Sequence, residues 1–168
     1  MYRPSKYTQH NDTLEIFSNI FNNCKKHREL QIIDFLKENF SDDGKIVNLK
    51  SNKEIIFDWE VRYKYFSNGD FAFETLGQFE RKFNKTPPVD LSIQSDKQNK
   101  HFLVAWHKDF SISSKQKVSR TTDSSREIGD MRTTKYFRIY SFGEMENFKN
   151  AISKCLENNS FSFKQDYP

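Results

Sequence analysis

Residues 53–78 read KEIIFDWEVRYKYFSNGDFAFETLGQ, and the fold turns on how they are read. Ile55, Ile56, Phe57, Trp59, Val61, Tyr63, Tyr65 and Phe66 are the β-branched and aromatic residues that strands favour. From Asp58 to Tyr65 the pattern alternates strictly. Asp58, Glu60, Arg62 and Lys64 point one way; Trp59, Val61, Tyr63 and Tyr65 point the other. Asn68-Gly69 is a turn signal, and Phe71 to Leu76 reads as a second strand, so the stretch predicts a central β-hairpin. Glu74 lies between apolar neighbours on that second strand. Carboxylates inside apolar strands need a reason, because an unpaired buried charge is costly. A metal site and a surface charge ladder are the two reasons available.

Around this centre the chain reads as helices at the ends and strands in the middle. Asn11 to Lys25 predicts a helix, with Asp12 and Glu15 at capping-box spacing and Phe17, Ile20, Phe21 and Cys24 on one apolar face. Arg28 to Asn39 predicts a second helix, with Leu30, Ile33, Leu36 and Phe40 inward, ended by Ser41-Asp42-Asp43-Gly44. Lys45 to Leu49 reads as a short strand. Pro87-Pro88 stops any long helix after Gln78. Val89 to Gln94, His101 to Phe110 and Lys135 to Phe142 read as strands; His101 and His107 flank one of them and receive no role. Ser141 and Glu144 have capping-box spacing for a last helix carrying Phe148, Ile152, Cys155 and Leu156. Beyond it, Phe161 and Phe163 are placed to dock on the core. The expected class is α+β: a mainly antiparallel or mixed sheet with a central β-hairpin, covered by N-terminal and C-terminal helices.

The chain has 168 residues, which suits one domain, 1–168. It is polar, with 30% charged residues and a mean hydropathy of −0.87, yet 17 Phe, 7 Tyr and 2 Trp exclude the composition of a disordered chain. No apolar run approaches the ~20 residues of a membrane span, and residues 1–13 have no signal-peptide core. No membrane partner is expected. Cys24 and Cys155 are too few for a disulfide framework, which places the expected setting in a reducing cytoplasm. The charge is uneven. Residues 96–138 hold ten Lys/Arg against five Asp/Glu, a net of +5 in a chain of net +4. Within them 111–134 is a Ser/Thr-rich loop bearing Lys115, Lys117, Arg120, Arg126 and Arg132, suited to the phosphates of an anionic partner such as nucleic acid.

The familiar nucleotide, zinc and serine-hydrolase signatures are absent: no GxGxxG or GxxxxGK[ST], no CxxC or HExxH, no GxSxG. Carboxylates with neighbouring cations are present instead, and Mg²⁺ binds through one or two carboxylates plus phosphate oxygens. Glu15 on the first helix, FDWE at 57–60, Asn68-Gly69, FAFET at 71–75, VDLSIQ and HFLVAWHKDF together resemble the PD-(D/E)XK nuclease superfamily, in its phage and mobile-element members, over about residues 11–110. In that superfamily an Asp on one strand and an acid-x-Lys on the next bind Mg²⁺, often assisted by an acid on the first helix. The resemblance implies a metal-dependent endonuclease, a hydrolase of nucleic acid phosphodiesters. Asp58, Glu74 and Glu15 would be its metal ligands, with Mg²⁺ the cofactor and Glu60, Arg62 and Lys64 beside them in the catalytic group. Residues 135–168 add a final strand and helix. The position of the motif lysine holds Leu76; Glu60-Val61-Arg62 and Glu80-Arg81-Lys82 offer acid-x-Arg and acid-x-Lys elsewhere.

The rival reading is a non-enzymatic inhibitor or accessory factor that binds a protein or nucleic acid. There Asp58, Glu60, Arg62 and Lys64 form a charge ladder on a solvated strand face, worth about 0.2–1 kcal/mol per cross-strand pair. The hairpin register separates the two. A two-residue loop sets Tyr63 opposite Glu74 and turns Glu74 away from Asp58. A Ser67-Asn68-Gly69 loop with a G1 bulge sets Arg62 opposite Glu74 and brings Asp58, Glu60, Arg62, Lys64 and Glu74 to one face.

Overall fold

The structure, a computed structural model, describes residues 6–35, 43–62, 83, 89–110, 119–120, 127–128, 137–157 and 162–163. They form helix α1 (Lys6–Asn23), then strands β1 (Leu30–Asp34), β2 (Gly44–Asn48), β3 (Glu54–Arg62), β4 (Leu91–Asp96) and β5 (His101–Trp106). A single helical turn α2 (His107–Phe110) follows, then the short strands β6 (Ser119–Arg120) and β7 (Glu127–Ile128). Strand β8 (Phe137–Ser141), a 3-10 turn (Phe142–Glu144) and helix α3 (Met145–Glu157) complete them. The class is α+β, with a six-stranded mixed sheet in the order β1-β2-β3-β4-β5-β8 and the two end helices packed against it.

Every neighbouring pair in this sheet is antiparallel except β3 and β4, which run parallel from Phe57↔Leu91 to Arg62↔Asp96. Residues 63–90 join those two strands, long enough for the crossover that parallel neighbours require. β3 therefore has β2 on one side, paired over Glu54–Phe57, and β4 on the other, paired over Phe57–Arg62. The second strand expected for the central hairpin, Phe71 to Leu76, lies outside the described residues, and so does the register of Glu74.

The core forms on one face of the sheet. Leu30, Ile46, Phe57, Leu91, Phe102 and Val104 contribute from the strands, Leu14, Phe17 and Phe21 from α1, and Met145, Phe148 and Ile152 from α3. Phe17 is its centre: its ring centroid lies 4.8 Å from that of Trp59, 5.1 Å from Phe102 and 5.9 Å from Phe148. Phe163 docks as expected, with no exposed surface, and its ring stands edge-on to Trp106. Asp109 holds that segment by accepting hydrogen bonds from Ser162 Oγ and the Phe163 amide. At the start of β2, Gly44 has no room for a side chain. A Cβ there would meet the Phe57 ring at 2.7 Å and the Ile33 carbonyl oxygen at 2.9 Å.

Two expectations are corrected. The helix predicted over Arg28 to Asn39 is instead strand β1, paired with β2 along Leu30–Asp34. The run Leu-Gln-Ile-Ile is too short for apolar spacing to separate helix from strand. The β-branched pair and the neighbouring strand decide it: Leu30 and Ile32 turn inward and Ile33 outward. Asn22 of α1 seals this edge strand, its Oδ1 accepting from the Ile32 amide at 2.7 Å and its Nδ2 donating to the Ile32 carbonyl at 3.1 Å. Second, α1 begins at Lys6, so Asp12 lies within the helix instead of capping it. Its buried face is Thr13, Leu14, Phe17, Ser18 and Phe21, while Ile20 stays 37% exposed.

At the other end of the chain the capping box is present: the Glu144 carboxylate accepts from the Ser141 amide at 2.9 Å. α3 also caps α1. The fully buried Lys149 donates through Nζ to the Phe21 and Cys24 carbonyls at 3.1 and 3.2 Å and sits 4.7 Å from the Phe21 ring centroid. Burial lowers its pKa below the usual lysine value. Cys24 and Cys155 are both free thiols, and burial pushes that of Cys155 up. Within the segment read as a loop, Ser119–Arg120 pairs with Glu127–Ile128. Among the described residues no helix is long and apolar enough to cross a membrane.

Candidate functional site

β3 carries the alternation that its sequence announces. Ile55, Phe57, Trp59 and Val61 are buried against the helices, while Ile56, Asp58 and Glu60 are half-buried on the opposite face. In the parallel register Asp58 stands beside Ser92 and Glu60 beside Gln94. Paired residues share a face, so these four polar side chains form one patch on the sheet's second face. Ser92 and Gln94 are buried there, and the Ser92 hydroxyl has no hydrogen-bond partner among the described residues. Buried polar groups are nearly always satisfied, so a solitary hydroxyl next to a carboxylate stands out.

Glu15 is not brought to this patch. It is exposed on α1, and α1 packs through Phe17 on the Trp59 face of β3, so the sheet stands between Glu15 and Asp58. Glu74 and Lys64 lie outside the described residues, as do Lys115, Lys117, Arg126 and Arg132. Arg62 ends β3 opposite Asp96, and Arg120 ends β6 opposite Glu127. Among the described residues no three His, Cys, Asp or Glu side chains gather as a metal-binding cluster.

One acid that sequence reasoning passed over sits at the β2 edge of β3. Asp43 directly precedes β2, and its amide donates to the Phe57 carbonyl at 3.3 Å. Its Oδ2 accepts from the Trp59 amide at 2.7 Å. The carboxylate thus satisfies an amide beyond the last β2–β3 pair, Gly44↔Phe57. That amide belongs to the Asp58–Trp59 peptide. A second aspartate does the same on the other edge of β3: Asp90, just before β4, accepts from the Ile56 amide through Oδ2 at 2.9 Å. β3 is longer than either neighbour's pairing with it, and an aspartate completes each side.

The Asp43 carboxylate is also within reach of α1. His10 Nε2 lies 3.3 Å from Asp43 Oδ1 and 3.0 Å from the Trp59 carbonyl oxygen. Thr13, one turn on, accepts from the Trp59 indole at 3.1 Å and donates to the His10 carbonyl at 3.0 Å. The His10 pKa is raised above its usual value, chiefly by the hydrogen bond to Asp43, against an opposing effect of burial. Asp43 and His10 remain about a quarter exposed, 23% and 24% by side chain.

The signal for Asp43 was an Asp-Asp-Gly step next to a strand. With a helix over 28–39, that step reads as a helix end; with strand β1 there, it leads into β2. The histidines left without a role sit apart from the patch. His107 opens α2, its amide donating to the Asp90 carbonyl at 3.0 Å, and His101 begins β5 opposite Ser141. Comparison with known protein-family models, with curated proteins and with solved structures finds no match to this chain.

Proposed function

We propose that this chain is a metal-dependent endonuclease-like protein acting on nucleic acid phosphodiesters. The supporting observation is the placement of Asp58 and Glu60 on one face of β3, beside the buried Ser92 and Gln94 of β4. An Asp at one strand and an acid-x-basic step on the next is the pattern the nuclease resemblance implies. Asp58 is assigned the lone Asp, and Glu60-Val61-Arg62 offers the acid-x-basic step, with Arg for Lys. Asp58 and Glu60 are of the type that binds a hard divalent ion of the Mg²⁺ class, which takes one or two carboxylates plus phosphate oxygens, and they adjoin the buried Ser92 hydroxyl, which has no hydrogen-bond partner among the described residues.

In this reading Asp58 and Glu60 are the carboxylates offered to the ion, whose remaining positions go to phosphate oxygens and water. When bound, such an ion activates water and neutralises charge developing on the phosphate. Arg62 supplies a positive charge next to the same phosphate, which strengthens catalysis when aimed at developing negative charge. Glu74 and Lys64 are assigned a further carboxylate and cation. The basic segment 96–138, including Lys115, Lys117, Arg120, Arg126 and Arg132, engages the nucleic acid backbone.

The test is cleavage of single-stranded DNA, double-stranded DNA and RNA by the full chain with Mg²⁺, with and without EDTA. Cleavage that EDTA abolishes, and that Asp58→Asn and Glu60→Ala each remove without changing the melting temperature, is the expected result. Asp58→Asn keeps the shape of the side chain, so loss of activity there reports the charge and not the fold. No cleavage of any substrate refutes the enzyme and leaves the inhibitor or accessory-factor reading.

A further inference from the structure

At one end of the sheet the loop between α1 and β1 meets the turn between β2 and β3. The Leu49 amide donates to the Glu29 carbonyl at 2.8 Å, which joins loop to turn. His27 Nε2 lies 2.7 Å from Asn150 Oδ1, which joins the loop to α3. The turn is held in shape: Asn48 Oδ1 accepts from the Lys50 and Ser51 amides at 2.9 and 3.1 Å, and the Asn52 amide donates to the Asn48 carbonyl at 2.8 Å. Residues 24–30, 45–54 and 150–157, far apart in sequence, therefore share this end, and they carry seven Lys/Arg against three Glu. The acids are already engaged. Glu29 Oε1 lies 3.4 Å from His27 Nδ1, Glu54 pairs with Lys45 at 3.2 Å, and Glu157 accepts from the Ser153 hydroxyl at 3.3 Å. Five of the cations are not. Lys25, Lys26, Arg28, Lys50 and Lys154 are exposed, and their side chains make no hydrogen bond or ion pair with the described residues.

We propose that this end of the sheet is a docking surface for the sugar–phosphate backbone of nucleic acid, with Lys25, Lys26, Arg28, Lys50 and Lys154 as its phosphate contacts. It rests on the nucleic-acid part of the reading above and on no metal site. It is distinct from the 96–138 segment: that basic excess is visible along the sequence, whereas these cations are gathered only by folding. Like charges crowded together repel one another, and an anion laid across them removes that repulsion. Three strands at about 4.8 Å spacing span about 10 Å, the reach of about three phosphates of one nucleic-acid strand. A single phosphate would leave most of the cations unused. Ser51 and Asn52, exposed in the same turn, add hydroxyl and amide donors of the kind that contact phosphate oxygens. A lipid surface fits less well. Leu49, 58% exposed, is the one large apolar side chain presented among these residues, whereas interfacial binding takes a whole apolar face.

The experiment measures binding of the full chain, without added metal, to short fluorescent single-stranded DNA, duplex DNA and RNA by anisotropy over a series of salt concentrations. The double variant Lys26→Gln/Lys50→Gln removes one cation from the loop and one from the turn. Neither side chain has a contact among the described residues to lose, so the melting temperature should not change. Each phosphate contact removed lowers the log–log salt slope by about one, so a fall of about two is expected, equal for unrelated sequences. Lys26→Arg/Lys50→Arg keeps both charges and should keep the slope. Acetylation of lysines with and without bound oligonucleotide locates the contact: Lys25, Lys26, Lys50 and Lys154 should be protected. Wild-type binding with an unchanged slope in the Gln variant, or with these four lysines unprotected, overturns the proposal and leaves the nucleic-acid reading to the 96–138 segment. No binding of DNA or RNA at low salt overturns the proposal together with that reading. Binding to phosphatidylserine vesicles but to no nucleic acid makes the surface a lipid contact and overturns the proposal as well.

Discussion

Phe17→Ala tests the joint between α1 and the sheet. Phe17 has no exposed surface and touches rings on three other elements: Trp59 of β3, Phe102 of β5 and Phe148 of α3, with centroids at 4.8, 5.1 and 5.9 Å. Phe142 adds an edge contact at 5.9 Å and Phe21 a tilted one at 6.5 Å. Truncating a buried Phe costs about 3–5 kcal/mol, part of it for the cavity left behind. The cavity here is bounded by large rings on rigid strands and a second helix, which limits collapse, so a value in the upper half, about 4–5 kcal/mol, is expected. For a domain of this length each kcal/mol moves the melting point by about 2–4 °C. Phe17→Ala should therefore lower Tm by about 8–20 °C, and urea unfolding should show a lower midpoint at constant m-value. Ile20→Ala is the control. Ile20 belongs to the same apolar stripe in the sequence but is 37% exposed, so its truncation should cost no more than about 1 kcal/mol. A loss below about 2 kcal/mol for Phe17→Ala, or equal losses at both positions, would refute this seating of α1.

Three further outcomes are expected. The raised His10 pKa means that the folded state binds more protons than the unfolded chain above about pH 6.5, so stability must fall as pH rises. The contribution is complete below about pH 6.5 and disappears as pH passes the raised value; melting curves of wild type and His10→Met should converge on going to alkaline pH. Divergence with rising pH would contradict the His10–Asp43 contact. Lys149→Met leaves the Phe21 and Cys24 carbonyls without their donor, and should destabilise by about 1–3 kcal/mol in urea unfolding. A variant as stable as wild type would mean that the burial penalty on the ammonium cancels its hydrogen bonds. Finally, affinity for nucleic acid should fall steeply with added salt, and neutralising Lys115 and Lys117 together should flatten the slope by about two units on a log–log plot. Salt-independent binding, or an unchanged slope, would remove the basic segment from the interface.

The sequence by itself determined those features that follow from local covalent geometry. Strict alternation from Asp58 onward was sufficient to set Asp58 and Glu60 on one face of β3 and Trp59 and Val61 on the other, because successive strand side chains must point in opposite directions. The Ser141–Glu144 spacing likewise announced the start of the last helix, since both partners of a capping box lie within four residues. Leu30 to Ile33 was ambiguous for the same reason: one short apolar run satisfies either period, and only pairing with β2 and the Asn22 side chain chose the strand. Which strands flank β3 could not be read locally at all. β4 comes to its side in parallel from beyond Val89, and the energy that places it there comes from burying Phe57, Leu91 and Ile93 in a common core. The site followed the same division. Asp58 and Glu60 were visible as charges interrupting a strand. The role of Asp43 was not visible locally, because it rests on the β2–β3 pairing ending at Gly44↔Phe57 and leaving the Trp59 amide to be satisfied by a carboxylate.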